Sequence, residues 1–530
     1  MAAKFYVTTA IDYPNSRPHI GTAFEKIGAD VQARYRRMEG YEVFFLMGND
    51  ENTVKVARRA AELGMEPKAY CDWMAAEFQR VWQALEISYD AFIQTSDPRH
   101  HRGCQEFIQR VYDRGYIYNG TYQGWYCEGC ESFKTETEIR EAGGVCPLHK
   151  TPPTRRQEPC YFFALSRFQQ ALLDFYEGHP EFIQPEARRN EIVSLVRSGL
   201  QDVNITRTDQ TWGIRVPFDA RFTIYVWFDA LLNYITGIGY GSRQDVFEYW
   251  WPADIHFIGK DITRFHCALW PAMLMAAGLD MPRQVFGHGF VYIKNEQTGT
   301  VDKISKSLGN VVEPMEIITR FSAEAFRYYF LRECPFPGDG EFSWSRFADV
   351  YNADLANNLG NLYSRVVTLV LRHFEGHLAV PTDAAPGTLF AEDDLESAVL
   401  QTQRHLERCE YHLALQTIWQ KVLDPANRYA DRTEPWRLVK TAPQQAQQVL
   451  LDLVGALRAA SILLKPFLPT TAAKIYNSFD FPQVWEQVRY EDAYAYLRPP
   501  RAVRVRAVGD ASGRLAPLFP RIVVGSASSA

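Results

Sequence analysis

The chain carries little excess charge of either sign. Its 57 Lys and Arg against 63 Asp and Glu leave a formal net charge of −6 over 530 residues. Bulk charge therefore implies no nucleic-acid partner, and any such partner needs a local basic face. No charged-then-apolar signal region opens the N-terminus, where "MAAKFYVTTAI" runs straight into strand-like residues. No apolar run approaches the ~18 residues of a membrane helix, and no internal repeat is visible. Cysteine is scarce and odd in number, nine in all. This excludes a disulfide scaffold and reads as reduced thiols in a cytosolic compartment. The absences predict a cytoplasmic protein with no membrane partner.

What is present is apolar and aromatic enough to fold, with 12 Trp, 28 Tyr and 33 Phe. The length calls for about three domains. "KFYVTTAI" reads as a buried strand, "HIGTAFEKIGADVQARYRRMEG" as the amphipathic helix after it, closed by Gly40, and "EVFFLMGND" as a second strand. Strands alternating with helices predict an α/β fold with a doubly wound parallel, Rossmann-like sheet. From Tyr118 to Pro159 the texture turns Gly-, Cys- and Thr-rich, the mark of an insertion. The βα pattern resumes at "FTIYVWFDALLNYITG" and "DIHFIGKDITRFHCALWPAML", and after Ser345 long helical segments run to about Phe479. The expected division is 1–117 and 223–345 as two halves of a nucleotide-binding domain, 118–222 as a zinc-bearing insertion, 346–500 as an all-α helical bundle and 501–530 as a tail.

Three groups of residues point to chemistry. "SRPHIGTAFEK" places His19, Gly21 and Thr22 where a helix opens at the carboxyl edge of a parallel sheet, a natural anion site. "VDKISKSLGN" puts Lys303 and Lys306 in a loop expected beyond the last strand of the same sheet. The two lysines repel each other unless a polyanion lies between them, and donors on both sides of one crevice suit a triphosphate. "YCEGC" and "CPLH" pair Cys127 with Cys130 and Cys146 with His149, two short pairs fifteen residues apart. That spacing is typical of a closed, tetrahedral structural zinc site.

"HIGT" and "KISKS" resemble the HIGH and KMSKS signatures of the class I aminoacyl-tRNA synthetases. "TTAIDYPNSRPHIG", "WFDALLNY", "FIGKDITRFH", "ISKSLGNVVEP", "NLGNLYSR" and "NRYADRTEPW" narrow the resemblance to the methionyl family over nearly the whole chain. The resemblance implies activation of L-methionine by ATP and transfer to tRNA(Met), initiator and elongator. His19, Thr22, Lys303 and Lys306 would act on the phosphates, with Gly21, Gly259 and Asp261 also holding ATP and Mg²⁺ accompanying it. Ile11, Tyr13, Trp227, Ala230, Leu231, Tyr234, Phe265, His266 and Trp270 would line the methionine pocket, with Asp50 on the ammonium. Tyr13 and His266 offer a hydroxyl and an imidazole to read the sulfur. Asn361, Arg365 and Trp436 would meet the anticodon, where splayed bases stack on aromatics and bond along their edges.

The chain departs from the family at Thr22, where the signature has a second histidine, and at Asn52-Thr53, where many relatives have His-Gly. A small-molecule nucleotidylyltransferase shares the phosphate site but explains neither the zinc insertion nor the helical half. A silent tRNA- or zinc-binding paralogue is opposed by the intact His19, Asp50, Asp261, Lys303 and Lys306. One zinc per chain and a monomer are expected.

Overall fold

The first strand, Lys4–Thr9, is buried at five of its six positions, as a central strand of a parallel sheet covered on both faces should be. The computed structural model describes residues 3–129, 132–134, 136–208, 210–304, 309–380, 389, 392–495, 501–507 and 515–522. Six parallel strands lie in the order Ala91–Gln94, Glu42–Asn49, Lys4–Thr9, Ile255–Gly259, Val285–His288, Ile183–Gln184. The order reverses between Lys4–Thr9 and Ile255–Gly259, which pair through Val7 with Ile255 and Thr8 with His256. Ligands of open α/β sheets bind outside the strand ends at such a switch point.

The helix Ile20–Met38 follows the first strand. His19 caps it and Thr22 closes a capping box, while Gly40, at φ 88°, takes the left-handed turn that ends it. Gly28, on its inner face, lies so close to Phe336 that a Cβ would stand 2.2 Å from the ring.

The insertion is an antiparallel sheet of Ser132–Lys134, Ile117–Cys127, Thr154–Phe163 and Val203–Asn204, its long ladder running from Ile117 opposite Phe163 to Tyr126 opposite Thr154. The strand Ile183–Gln184 falls within the 118–222 span yet completes the edge of the parallel sheet.

Four expectations need correction. "FTIYV" does not resume the parallel sheet: Asp219–Ile224 pairs antiparallel with Arg215–Val216 and Thr206–Arg207. Lys303 ends a strand of a separate sheet, Val301–Lys303 with Val291–Lys294 and Gly340–Phe342, and not a loop beyond the parallel one. Pro443–Leu464, 22 residues, is long and apolar enough to cross a membrane by length and composition, but its apolar window is 89% buried within the fold. It is a core helix. Among the described residues, strands also return after Ser345, where His377–Ala379 pairs with Ala502–Arg504.

The two halves are riveted by Arg327. Fully buried, it pairs with Asp30 of the His19 helix at 2.7 Å and donates to the carbonyls of Phe467, Pro466 and Leu85. Burial alone would raise the Asp30 carboxyl, but Arg34 and Arg327 bring it down to about 2.

Candidate active site

A crevice of about 530 Å³ opens at the switch point. His19, Gly21 and Thr22 line one side, Gly259 and Asp261 the other, and Lys303 with Ile304 stands at its margin. The sequence-predicted phosphate set thus converges from three separate segments. Lys306 lies outside the described residues.

His19 Nδ1 accepts from the Gly21 and Thr22 amides at 3.1 and 3.3 Å, so in the neutral ring Nε2 carries the proton and is the donor. The Thr22 hydroxyl turns back onto the backbone of His19, donating to its carbonyl at 2.7 Å and accepting from its amide at 3.0 Å. It serves the cap and does not point a free donor at a phosphate. A Cβ on Gly21 would meet His19 at 3.0 Å and Ile304 at 3.4 Å, so a side chain here would press on the capping ring and on the residue next to Lys303. The Lys303 ammonium rests over the Phe290 ring, 5.0 Å from its centroid, a cation–π contact that orients it beside the crevice.

Of the residues expected to line a methionine pocket, Ile11, Tyr13, Asp50, Trp227, Ala230, Leu231, Tyr234 and His266 stand together at the crevice wall. Phe265 and Trp270 are not part of the wall. Phe265 stacks flat behind Trp227, centroids 3.8 Å apart. Trp270 is fully buried, and its indole points at His256. His266 Nδ1 lies 3.1 Å from the Ile262 carbonyl, which can only accept, so Nε2 receives the Tyr234 hydroxyl proton at 2.7 Å. Both ring nitrogens are engaged by the protein. His266 therefore holds Tyr234 in place and has no nitrogen left to read sulfur directly, contrary to the expectation from sequence. Burial pushes its pKa down to about 4, so the ring is neutral.

Sequence reading missed the charges beneath the floor. Lys26, its side chain fully buried, pairs with Glu25 at 2.6 Å and Asp12 at 3.1 Å and donates to the Ala10 carbonyl. His288 completes the group, with Nε2 2.9 Å from Glu25 and Nδ1 2.7 Å from the Gly289 carbonyl. Burial raises the Asp12 carboxyl to about 6 against the pull of Lys26. Asp12, Glu25 and His288 all reach the crevice wall. No local motif signals them, because the four residues come from three distant segments.

In the insertion, ligand atoms of Cys127, Cys146 and His149 lie within 4.8 Å of one another, which suits one small cation. Burial would raise the Cys146 thiol, but hydrogen bonds from His149, Cys127 and Leu148 hold it near 6, ready to serve as a thiolate ligand. Cys130 lies outside the described residues. In the helical half, Ser364, Arg365, Thr368, Leu369 and Trp436 enclose a second, open pocket of about 410 Å³. Arg365 pairs with Asp431 at 3.1 Å and lies 5.6 Å from the Trp436 ring centroid. Asn361 stands one turn earlier on the same helix, Asn361–His373, and does not line it.

Comparison with known proteins agrees with this arrangement. The family model described as tRNA synthetases class I (M) matches residues 5–152 and 142–367, and that of the anticodon binding domain of methionyl tRNA ligase matches 380–509. The methionine–tRNA ligase of Caldanaerobacter subterraneus subsp. tengcongensis is 42% identical over 500 residues, covering 92% of this chain and 76% of the relative. That of Thermosynechococcus vestitus is 42% identical over 494 residues, 91% of each chain. The structure of Mycobacterium tuberculosis methionyl-tRNA synthetase in complex with methionyl-adenylate superposes with a TM-score of 0.89 at 37% identity, covering 98% of this chain and 100% of that one. With its catalytic crevice, its helical half and its relatives in agreement, this chain belongs to the methionyl-tRNA synthetases of class I.

Proposed function

We infer that the crevice joins L-methionine to ATP and passes the methionyl group to the 3′-terminal adenosine of tRNA(Met). The observation that carries this reading is the meeting of His19, Asp261 and Lys303 around one cavity whose other end is walled by Trp227, Leu231 and Tyr234. The methionine carboxylate is already ionised and attacks the α-phosphorus, expelling pyrophosphate. No general base is needed, so catalysis rests on positioning and on stabilising charge. Asp50 faces the ammonium, Asp261 accepts from the ribose, and Lys303 with Lys306 neutralises the leaving phosphates. His19 donates through Nε2. Mg²⁺ accompanies ATP and supplies charge neutralisation when bound.

Cys127, Cys130, Cys146 and His149 form the ligand set for one structural zinc, which would stabilise a segment too small for a core of its own. The pocket of Arg365 and Trp436 reads the anticodon of initiator and elongator tRNA, with Asn361 adding an amide at its rim. The chain is read as a cytoplasmic monomer without a membrane partner, and the boundaries near 117, 222, 345 and 500 separate its working parts. ATP–pyrophosphate exchange with each of the twenty amino acids tests the central claim: exchange with methionine far above the rest supports it, and exchange with none, or with another amino acid, overturns it.

A further inference from the structure

Asp229 sits on the short helix Val226–Ala230, between Trp227 and Ala230, which both face the crevice. Its own side chain does not reach the crevice and is 0% exposed. Among the described residues, neither carboxyl oxygen of Asp229 has a hydrogen-bond partner, and neither has Oδ1 of Asn52. A buried carboxylate with no donor is strongly unfavourable.

The groups around it offer no compensating cation. His100 Nε2 is 3.7 Å from Asp229 Oδ1, but it bears no proton. Thr236 gives its hydroxyl proton to the Leu232 carbonyl at 3.0 Å, so the 2.7 Å contact between His100 Nδ1 and Thr236 Oγ1 requires the proton on Nδ1. The bare Nε2 then faces the Cys104 thiol at 3.2 Å. His101, on the same helix Pro98–Asp113, and Asn52 complete the surroundings. Burial drives both histidines toward neutrality, His100 to about 3, and raises the Cys104 thiol. The Asn52 amide nitrogen gives one proton to the Thr95 carbonyl at 3.0 Å, and the Asn52 side chain also lies beside Asp229, drawing its carboxyl down against the larger effect of burial. The Cys104 thiol can donate to His100 Nε2, so the acceptor left beside Asp229 in want of a proton is Asn52 Oδ1.

We propose that Asp229 is carried as a neutral carboxylic acid and is a positioning residue, donating across the gap between the Trp227–Leu231 wall and the stretch that presents Asp50. That stretch is otherwise pinned by Thr95, which accepts from Asn52 and whose hydroxyl accepts from the Glu51 amide at 2.8 Å, and by Trp212 on the Glu51 carbonyl at 2.7 Å. The proton on Asp229 ties it to the opposite wall, setting the distance between the apolar side of the pocket and its ammonium anchor. This rests on the reading that these walls hold methionine.

The full chain is compared with Asp229→Asn and Asp229→Ala. Carbon-13 NMR of aspartate-labelled protein should show a carboxyl resonance still at its protonated position at neutral pH, lost in Asp229→Asn. In methionine-dependent exchange, Asp229→Ala should raise the methionine KM about tenfold with a smaller change in kcat, and Asp229→Asn, which keeps a neutral donor, should recover most of that. Absence of the protonated resonance overturns the proposal whether or not methionine is the substrate. So does an Asp229→Asn variant that melts like the parent yet binds methionine no better than Asp229→Ala, or an Asp229→Ala variant with an unchanged KM. If Asp229→Asn does not fold, the resonance in the unmodified chain decides.

Discussion

The catalytic crevice and the pocket in the helical half are built on opposite terms. The crevice rests on buried charge: Lys26 is shut away from water between Glu25 and Asp12, which themselves reach the crevice wall, and the His266 ring has its protons assigned by fixed partners. The helical pocket is open, its Arg365 side chain is 43% exposed, and its ion pair with Asp431 is a surface one. Surface pairs contribute about 0–1 kcal/mol, so a nucleic acid can displace Asp431 at little cost. A buried cluster cannot rearrange so cheaply. The first arrangement suits a reaction that demands fixed geometry, the second a partner that docks and leaves.

The sharpest break in this contrast is Lys26→Met. It strands the buried Glu25 carboxylate and the partly buried Asp12 beside it and should cost about 3–5 kcal/mol of stability, seen as a large drop in the thermal melt together with loss of exchange. Arg365→Met, by comparison, should leave the melt within about 1 kcal/mol, and equal losses from the two would erase the distinction.

Lys306→Ala should slow adenylate formation by about 10²–10³ in kcat while methionine binding holds, because its charge is needed chiefly in the transition state. A raised methionine dissociation constant with unchanged kcat would place it in ground-state binding instead.

Trp436→Ala comes next. Trp436 is 36% exposed, so its loss should spare the melt and methionine-dependent exchange while weakening tRNA charging by about 1–3 kcal/mol, the value of one base–aromatic stack. Exchange and melt falling together would mean the ring is packing and not recognition.

The smallest effect is a pH dependence. His266 has its folded pKa depressed from 6.5 to about 4 by burial. Between those values the unfolded chain binds more protons than the folded one. Its contribution to stability is therefore complete above about 6.5 and declines as pH falls toward about 4. Methionine affinity should show no histidine inflection near neutrality, and His266→Gln should flatten the acid limb of the melt. An inflection near 6.5 that Gln removes would make His266 a charged contact.

Local sequence made the parallel sheet legible where it was continuous: the buried strand before His19 and the strand "EVFFLMGND" were readable from periodicity, and the capping pattern placed His19 at a helix start. The Asp219–Ile224 strand was not readable as antiparallel, because a buried apolar run looks the same in either kind of sheet. Pro443–Leu464 shows the limit from the other side, since continuous apolar sequence does not say whether protein or lipid will cover it.

The residue types of the site, its two signatures and the spacing of the knuckle were determined by the sequence alone, because each is a short-range pattern with its chemistry written in adjacent positions. Only the tertiary structure decided which of them share a cavity, that Trp270 is buried away from the crevice wall, that Thr22 spends its hydroxyl on the cap, and that Lys26, Asp229 and Arg327 are buried. Burial and proton placement depend on what lies across space from a residue, and those neighbours are supplied by segments tens to hundreds of positions away: His288 reaches Glu25 across 263 residues and Arg327 reaches the Phe467 carbonyl across 140.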